Sequence, residues 1–249
     1  MEINLAGKCT LITGGTRGIG RAISLAFARA NSKVVINYNS DEKAASETKS
    51  LLESEGFSPL MIKGNASDFD FGKKLSSFCI EKMGKIDILI NNAGISHNTP
   101  FLLLEPEEWK KAIDVNINAL YSVTHPVLRH MVDKKIHGKI LNLSSVCGVR
   151  PVAAVPVHYA ATKAAIVGFT YTLAKEVGRY GIQVNAVAPG LIETEFSRNL
   201  PEARRGDFKK FCPLGRIGKP EEVADVVVFL ASDFNSYMTG ETVLISGGL

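Results

Sequence analysis

The chain has 249 residues, 45% of them hydrophobic and 22% charged, and a net charge of +4. This is an ordinary globular composition, long enough to bury a core without staples and too mildly basic for a nucleic-acid binder. No run nears the ~18 consecutive apolar residues of a membrane span, the start Met1-Glu2-Ile3-Asn4-Leu5 is no signal peptide, and a cytoplasmic protein without membrane contact is expected. Cys9, Cys79, Cys147 and Cys212 are scattered without a C-x-x-C pair, which reads as four reduced thiols and no metal site. Short β-branched runs follow at 9–13, 33–38, 59–63, 86–91, 139–143, 183–187 and 242–245. Helical periodicity fills 18–30, 41–55, 68–83, 107–131, 159–179 and 220–232 between them. Strands alternating with helices of this length predict βαβ units and a parallel sheet covered on both faces. Pro126, inside the fourth helical pattern, is expected to kink it or mark a boundary. No repeat or linker divides the chain, so 1–249 reads as one domain, with its longest irregular stretch at 191–218.

The first strand runs into Thr13-Gly14-Gly15-Thr16-Arg17-Gly18-Ile19-Gly20 and then a helix. A turn bare of side chains lets backbone N–H groups approach a pyrophosphate, and the helix start adds partial positive charge. The spacing Gly14-x3-Gly18-x-Gly20 differs from G-x-G-x-x-G, and an ordinary glycine turn is the alternative. The second strand ends Asn37-Tyr38-Asn39-Ser40, with no acid before Asp41. A carboxylate there would hold the ribose 2′-hydroxyl of NAD and repel a 2′-phosphate. Asn39, Ser40 and Arg17 could instead receive that phosphate, so NADPH/NADP+ is the expected cofactor; the alternative is that Arg17 simply faces water.

Tyr159 and Lys163 lie four apart in a helical segment, on one face about one turn apart. An ammonium nearby favours the phenolate and would bring a tyrosine toward useful acid–base chemistry. The pair alone also fits a core tyrosine beside a snorkelling lysine. The surrounding motifs favour the first reading: Thr13 to Gly20, Asn91-Asn92-Ala93-Gly94, Asn116, Ser144-Ser145, Tyr159-Ala160-Ala161-Thr162-Lys163 and Pro189-Gly190-Leu191-Ile192-Glu193-Thr194. In this order the chain resembles the short-chain dehydrogenase/reductase family from about Leu5 to Gly248. The subgroup it is most similar to is the 3-oxoacyl-[acyl carrier protein] reductases.

The resemblance implies a Rossmann-type doubly wound parallel sheet of about seven strands and reduction of a 3-oxoacyl thioester, possibly on acyl carrier protein. It implies that Tyr159 protonates the carbonyl oxygen, Lys163 holds the ribose and lowers the Tyr159 pKa, and Ser145 hydrogen-bonds the carbonyl. Asn116 would anchor a water leading to Lys163. Gly14, Gly15, Thr16, Arg17, Gly18 and Ile19 would hold the dinucleotide, with Asn65 and Ala66 at the adenine. Asn92, Ala93 and Gly94 would run along it, and Pro189, Gly190 and Ile192 would lie at the nicotinamide. A homo-oligomer, tetramer or dimer, is likewise implied, with Trp109 on a helix that packs at a family dimer interface. The segment 191–218 would be a substrate lid, carrying Arg198, Arg204, Arg205, Lys209 and Lys210.

Departures bear on the substrate. The loop between Ser145 and Tyr159 reads one residue longer than in carrier-protein reductases, with a more apolar middle. Docking arginines of that subgroup are replaced by Ile136 and Tyr180, beside Lys134, Lys135 and Arg179. Cys147 reads as a packed residue, and His97 and His158 as rim or structural residues. Two other functions stay open: reduction of a different ketone or polyketide intermediate, and a non-enzymatic nucleotide-sensing module, which would be expected to lose Tyr159 or Lys163.

Overall fold

Leu11 and Ile12 are neighbours in the first strand, yet each packs into a different core, on opposite faces of the sheet. Val35 and Ile36, Leu89 and Ile90, and Ile140 and Leu141 divide the same way, because side chains alternate along a strand. A strand buried on both faces reads as a continuous apolar run, which is why these segments stand out in the sequence. The computed structural model describes residues 3–152, 155–198 and 202–249. Its strands are β1 (Cys9–Thr13), β2 (Lys33–Tyr38), β3 (Leu60–Lys63), β4 (Ile88–Asn91), β5 (Lys139–Leu143), β6 (Gln183–Pro189) and β7 (Thr242–Ile245). They form one parallel sheet of seven strands in the order β3-β2-β1-β4-β5-β6-β7.

The helices are α1 (Gly18–Arg29), α2 (Glu42–Ser54), α3 (Phe69–Met83), α4 (Pro106–Ile113), α5 (Ala119–Asp133), α6 (Val157–Val177), α7 (Glu195–Arg198), α8 (Glu202–Phe211) and α9 (Pro220–Ala231). Ile23 and Phe27 of α1, Leu52 of α2, and Val223 and Val227 of α9 pack on the Ile12 face. Leu75 of α3, Val123 and Val127 of α5 and Val177 of α6 pack on the other. Each such side chain, fully buried, contributes about 1.5–3 kcal/mol. Asp41 and Asp68 cap α2 and α3 by accepting backbone N–H bonds, and Gly84 ends α3 in the left-handed conformation a side chain would resist.

Two expectations are corrected. The segment 107–131 is not one regular helix: α4 begins at Pro106, where a missing N–H does no harm, and passes through a π-helical turn, Asp114–Asn118, into α5. Pro126 lies inside α5 and bounds nothing. The stretch 191–218 is not irregular throughout, since it contains α7 and α8. Their sequences are dominated by charge rather than apolar periodicity, so the pattern that reveals a core helix is weak there.

Candidate cofactor and catalytic site

The strand order reverses between β1 and β4, and ligands of open parallel sheets bind at the strand ends beside such a reversal. The glycine loop leaves β1 at this point, with its carbonyls tied to the protein. Asn92 Nδ2 donates to Thr13 O (3.1 Å) and Gly14 O (2.8 Å), and Ser24 Oγ to Gly15 O (2.9 Å). Thr48 Oγ1 (2.8 Å) and Arg21 Nε (3.0 Å) donate to Thr16 O. Thr13 Oγ1 accepts from Asn92 N (3.0 Å) and Ala93 N (3.1 Å), which clasps the loop to the end of β4. With its carbonyls held inward, the loop leads into a helix start where Arg17 supplies no side-chain cap and no acid occupies the first turn. A helix start leaves N–H groups without internal acceptors, so this cradle fits an anionic pyrophosphate. A Cβ on Gly20 would lie 2.2 Å from Gly14 O, and Gly14 (φ +62) and Gly18 (φ +49) adopt left-handed backbone. Ser24, Thr48 and Arg21 are additions from outside the motif, and Thr13, its first residue, gains a defined part in the clasp.

Arg17 is neither free nor simply solvated. Its guanidinium lies 3.3 Å from Asp41 and 3.7 Å from Glu195, tying the loop to the start of α2 and to α7. Asn39 and Ser40 are exposed just past β2. At the end of β3, Asn65 Oδ1 accepts from Ser67 N (3.1 Å) and Oγ (2.9 Å), and Ala66 is buried.

The catalytic candidates gather around the ends of β4, β5 and β6. Lys163 is buried, donates from Nζ to Leu143 O (2.7 Å) and lies 5.6 Å from the centre of the Tyr159 ring. Ser144 Oγ donates to Lys163 O (2.7 Å), a buried structural bond, whereas Ser145 follows into the cleft beside Tyr159. Ser145 Oγ donates to Pro189 O (3.4 Å) and accepts from Cys147 Sγ (3.3 Å). A cleft of about 140 Å³ is lined by Ser145, Cys147, Val155, Tyr159, Leu191 and Phe208. Ile19 and Ile192 also border it, so it joins the end of the glycine loop to the candidate catalytic side chains Ser145 and Tyr159. A cavity of about 530 Å³ lies at the opposite strand ends, around Lys139, Gln183 and Tyr237, away from this chemistry.

Burial pushes the Tyr159 phenol above its ordinary value; the Cys147 charge adds to this, and the hydrogen bond with Ser145 opposes it. Burial also lowers Lys163 to about 8, against a smaller rise from Cys147. The lowering expected from Lys163 does not figure among these causes; desolvation dominates, and the phenol stays protonated at neutral pH.

Asn116 sits in the π turn, a feature frequent at functional sites. Its Oδ1 accepts from Ile95 N (2.8 Å), and Nδ2 donates to Ile95 O (3.0 Å) and Thr162 Oγ1 (2.9 Å). A Cβ on Gly94 would lie 3.4 Å from both Asn116 Oδ1 and Lys163 Nζ, which puts those groups around one bare backbone position. His158 is 1% exposed, a core residue and no part of a rim. Of the lid, Asn199, Leu200 and Pro201 and the side chains of Phe196, Ala203 and Arg204 lie outside the described residues, as do Ala153 and Ala154 of the loop before α6.

A family model described as enoyl-(acyl carrier protein) reductase matches residues 14–249. The chain is 42% identical over 251 residues to the 3-oxoacyl-[acyl-carrier-protein] reductase of Thermotoga maritima, covering 99% of both chains. It is 41% identical over 249 residues to the reductase of the same name from Aquifex aeolicus, covering 100% of both. Among solved structures, a short-chain type dehydrogenase/reductase from Mycobacterium marinum superposes with a TM-score of 0.95 at 32% identity, over 99% of this chain and 97% of that one. A 3-oxoacyl-[acyl-carrier protein] reductase from Brucella melitensis with bound NAD gives 0.89 at 37% identity, over 100% and 94%.

Proposed function

Because the chain belongs to the short-chain dehydrogenase/reductase family, we propose that it reduces the ketone of a 3-oxoacyl thioester to the 3-hydroxyacyl form, using NADPH. The observation that carries the chemistry is the meeting of Ser145 and Tyr159 in the cleft next to the glycine loop, with the buried Lys163 Nζ 5.6 Å from the centre of the Tyr159 ring. The substrate class rests on the full-length relatives from Thermotoga and Aquifex, both named 3-oxoacyl-[acyl-carrier-protein] reductases.

The nicotinamide, when bound, supplies the hydride. Tyr159 gives its phenolic proton to the carbonyl oxygen, and burial keeps that proton in place until charge develops there. Ser145 Oγ donates a hydrogen bond to the same oxygen, where the charge grows. Lys163 holds the ribose hydroxyls and the ammonium charge near the phenol. Asn116 ties the π turn to α6 and to Ile95 beside Lys163, the place for a water that resupplies the proton. The apolar wall of Val155, Leu191 and Phe208 keeps bulk water from the reacting carbonyl.

NADPH is favoured over NADH because the end of β2 offers Asn39 and Ser40 in place of an acid, and Arg17 lies alongside. We read 1–249 as one domain with 191–218 as the lid, working in the cytoplasm as a homo-oligomer on thioesters carried by acyl carrier protein. Among the described residues no helix is long and apolar enough to cross a membrane, and none of their His, Cys, Asp and Glu form a metal-holding group.

The family model's description names an enoyl reductase, so the test sets the two reactions side by side. Cofactor oxidation is measured with acetoacetyl and longer 3-oxoacyl thioesters, with the matching 2-enoyl thioesters and with simple ketones, using NADPH and NADH. The 3-oxoacyl thioesters with NADPH should give the highest kcat/KM, and Tyr159→Phe should lower kcat by roughly a hundredfold or more while NADPH still binds. Turnover of the enoyl substrates alone would overturn the assignment.

A further inference from the structure

Tyr159 lies in the first turn of α6, where no local cap holds the chain. Pro156 at the N-cap supplies no side-chain bond, and no acid occupies the first turn. The turn is held from elsewhere, by two struts. In one, Thr162 Oγ1 donates to Tyr159 O (2.8 Å) and accepts from Asn116 Nδ2 (2.9 Å), and Asn116 grips Ile95 through both its backbone groups. The other is built on Glu108 of α4. Its Oε1 lies 3.9 Å from His158 Nε2, the residue before Tyr159, and 3.5 Å from His97 Nδ1, two residues after Ile95. Both struts therefore join the first turn of α6 to the short segment that follows Gly94.

The mechanism uses neither Glu108 nor the two histidines, yet each buries at least one side-chain polar atom. Ser96 Oγ, His97 Nδ1, Glu108 Oε1 and both His158 nitrogens are five of the eight buried side-chain polar atoms that lack a hydrogen-bond partner among the described residues. An unsatisfied buried polar group costs about 1–3 kcal/mol, so their concentration in one place calls for a reason beyond packing. At 3.5 Å and 3.9 Å these contacts are long for hydrogen bonds. A carboxylate beside an uncapped helix start is favoured by the dipole as well.

We propose that Glu108, held between His97 and His158, is a positioning residue that sets the first turn of α6 and with it the Tyr159 phenol. This rests on the reading of Tyr159 as the proton donor. If the cluster only fills space, its loss lowers stability evenly and leaves turnover by the folded protein unchanged.

The test compares the parent with Glu108→Ala, Glu108→Gln and His158→Asn. In Glu108→Ala, kcat for a 3-oxoacyl thioester should fall about ten- to a hundredfold, as expected for a displacement near 1 Å, while KM for NADPH stays within about twofold. Glu108→Gln, which keeps the acceptor oxygen, should recover most of the rate. Hydrogen exchange in the cofactor-free protein is measured alongside and needs no turnover, so it judges the strut even if no thioester is reduced. Exchange should quicken at the start of α6, over 157–166, and stay unchanged over its C-terminal half. His158→Asn carries the same measurements if Glu108→Ala does not fold. Unchanged exchange over 157–166, or a rise spread evenly over the chain, would overturn the proposal.

Discussion

Lys163 is 4% exposed and carries an ammonium that burial brings from 10.5 down to about 8. Below pH 8 it is charged in both the folded and the unfolded chain, so the folded state bears the whole penalty of burying that charge. Between pH 8 and 10 the folded protein has shed the proton while the unfolded chain still holds it. The unfolded state then binds more protons, and stability rises with pH. At about 1.4 kcal/mol per pH unit, the parent should gain roughly 2–3 kcal/mol over this window relative to Lys163→Met. Denaturant unfolding of both proteins at pH 8 and pH 10 checks it, and a constant difference would mean that Lys163 is well solvated. The spacing of Tyr159 and Lys163 made this pair legible in the sequence, because four residues is one helical turn. The burial of His158 was not legible. A histidine beside a tyrosine looks the same whether α4 covers it or water does, and only the packing of α4 against α6 decides.

At the scale of elements, the glycine loop is fixed by the groups that hold its carbonyls. Gly20→Ala would force a methyl to within 2.2 Å of Gly14 O and 2.5 Å of Asn92 Nδ2, moving the backbone and breaking the clasp. Overpacking of this kind costs about 1–3 kcal/mol. NADPH affinity should also fall by about tenfold or more, about 1.4 kcal/mol per decade, read by fluorescence titration of the folded variant. The loop's position between β1 and α1 could be read from the sequence, but not its clasp, since Ser24 and Thr48 look like ordinary helix residues. The π turn at Asn116 was hidden for a similar reason: one widened turn hardly disturbs an apolar pattern. Over the cleft, α8 puts Phe208 in the wall and Lys209 and Lys210 on the exposed side. Lys209→Gln with Lys210→Gln should raise KM for carrier-linked thioesters several-fold and barely affect a short uncharged ketone. The difference should shrink with added salt, because exposed charges beyond ~8 Å are screened at physiological ionic strength. Equal KM shifts for both substrates would remove α8 from carrier recognition.

For the molecule as a whole, the seven strand segments and their alternation with helices were legible because strands buried on both faces stand out as apolar runs. Their lateral order was not, since no local pattern says which runs lie side by side; the family resemblance implied a doubly wound sheet, and the order itself is read from the fold. That order has a consequence during synthesis. The chain first builds outward from β1 through β2 to β3, then returns to place β4 on the other side of β1 and builds outward again to β7. As translation proceeds, one flank of β1 stays open until residue 88 has left the ribosome, although its other flank is already paired with β2. A nascent chain in that interval presents an apolar strand edge, the kind that invites wrong pairing with a neighbouring chain. The arrival of β4 covers that edge, so a pause in translation just before Ile88 would lengthen the time the growing protein needs a chaperone.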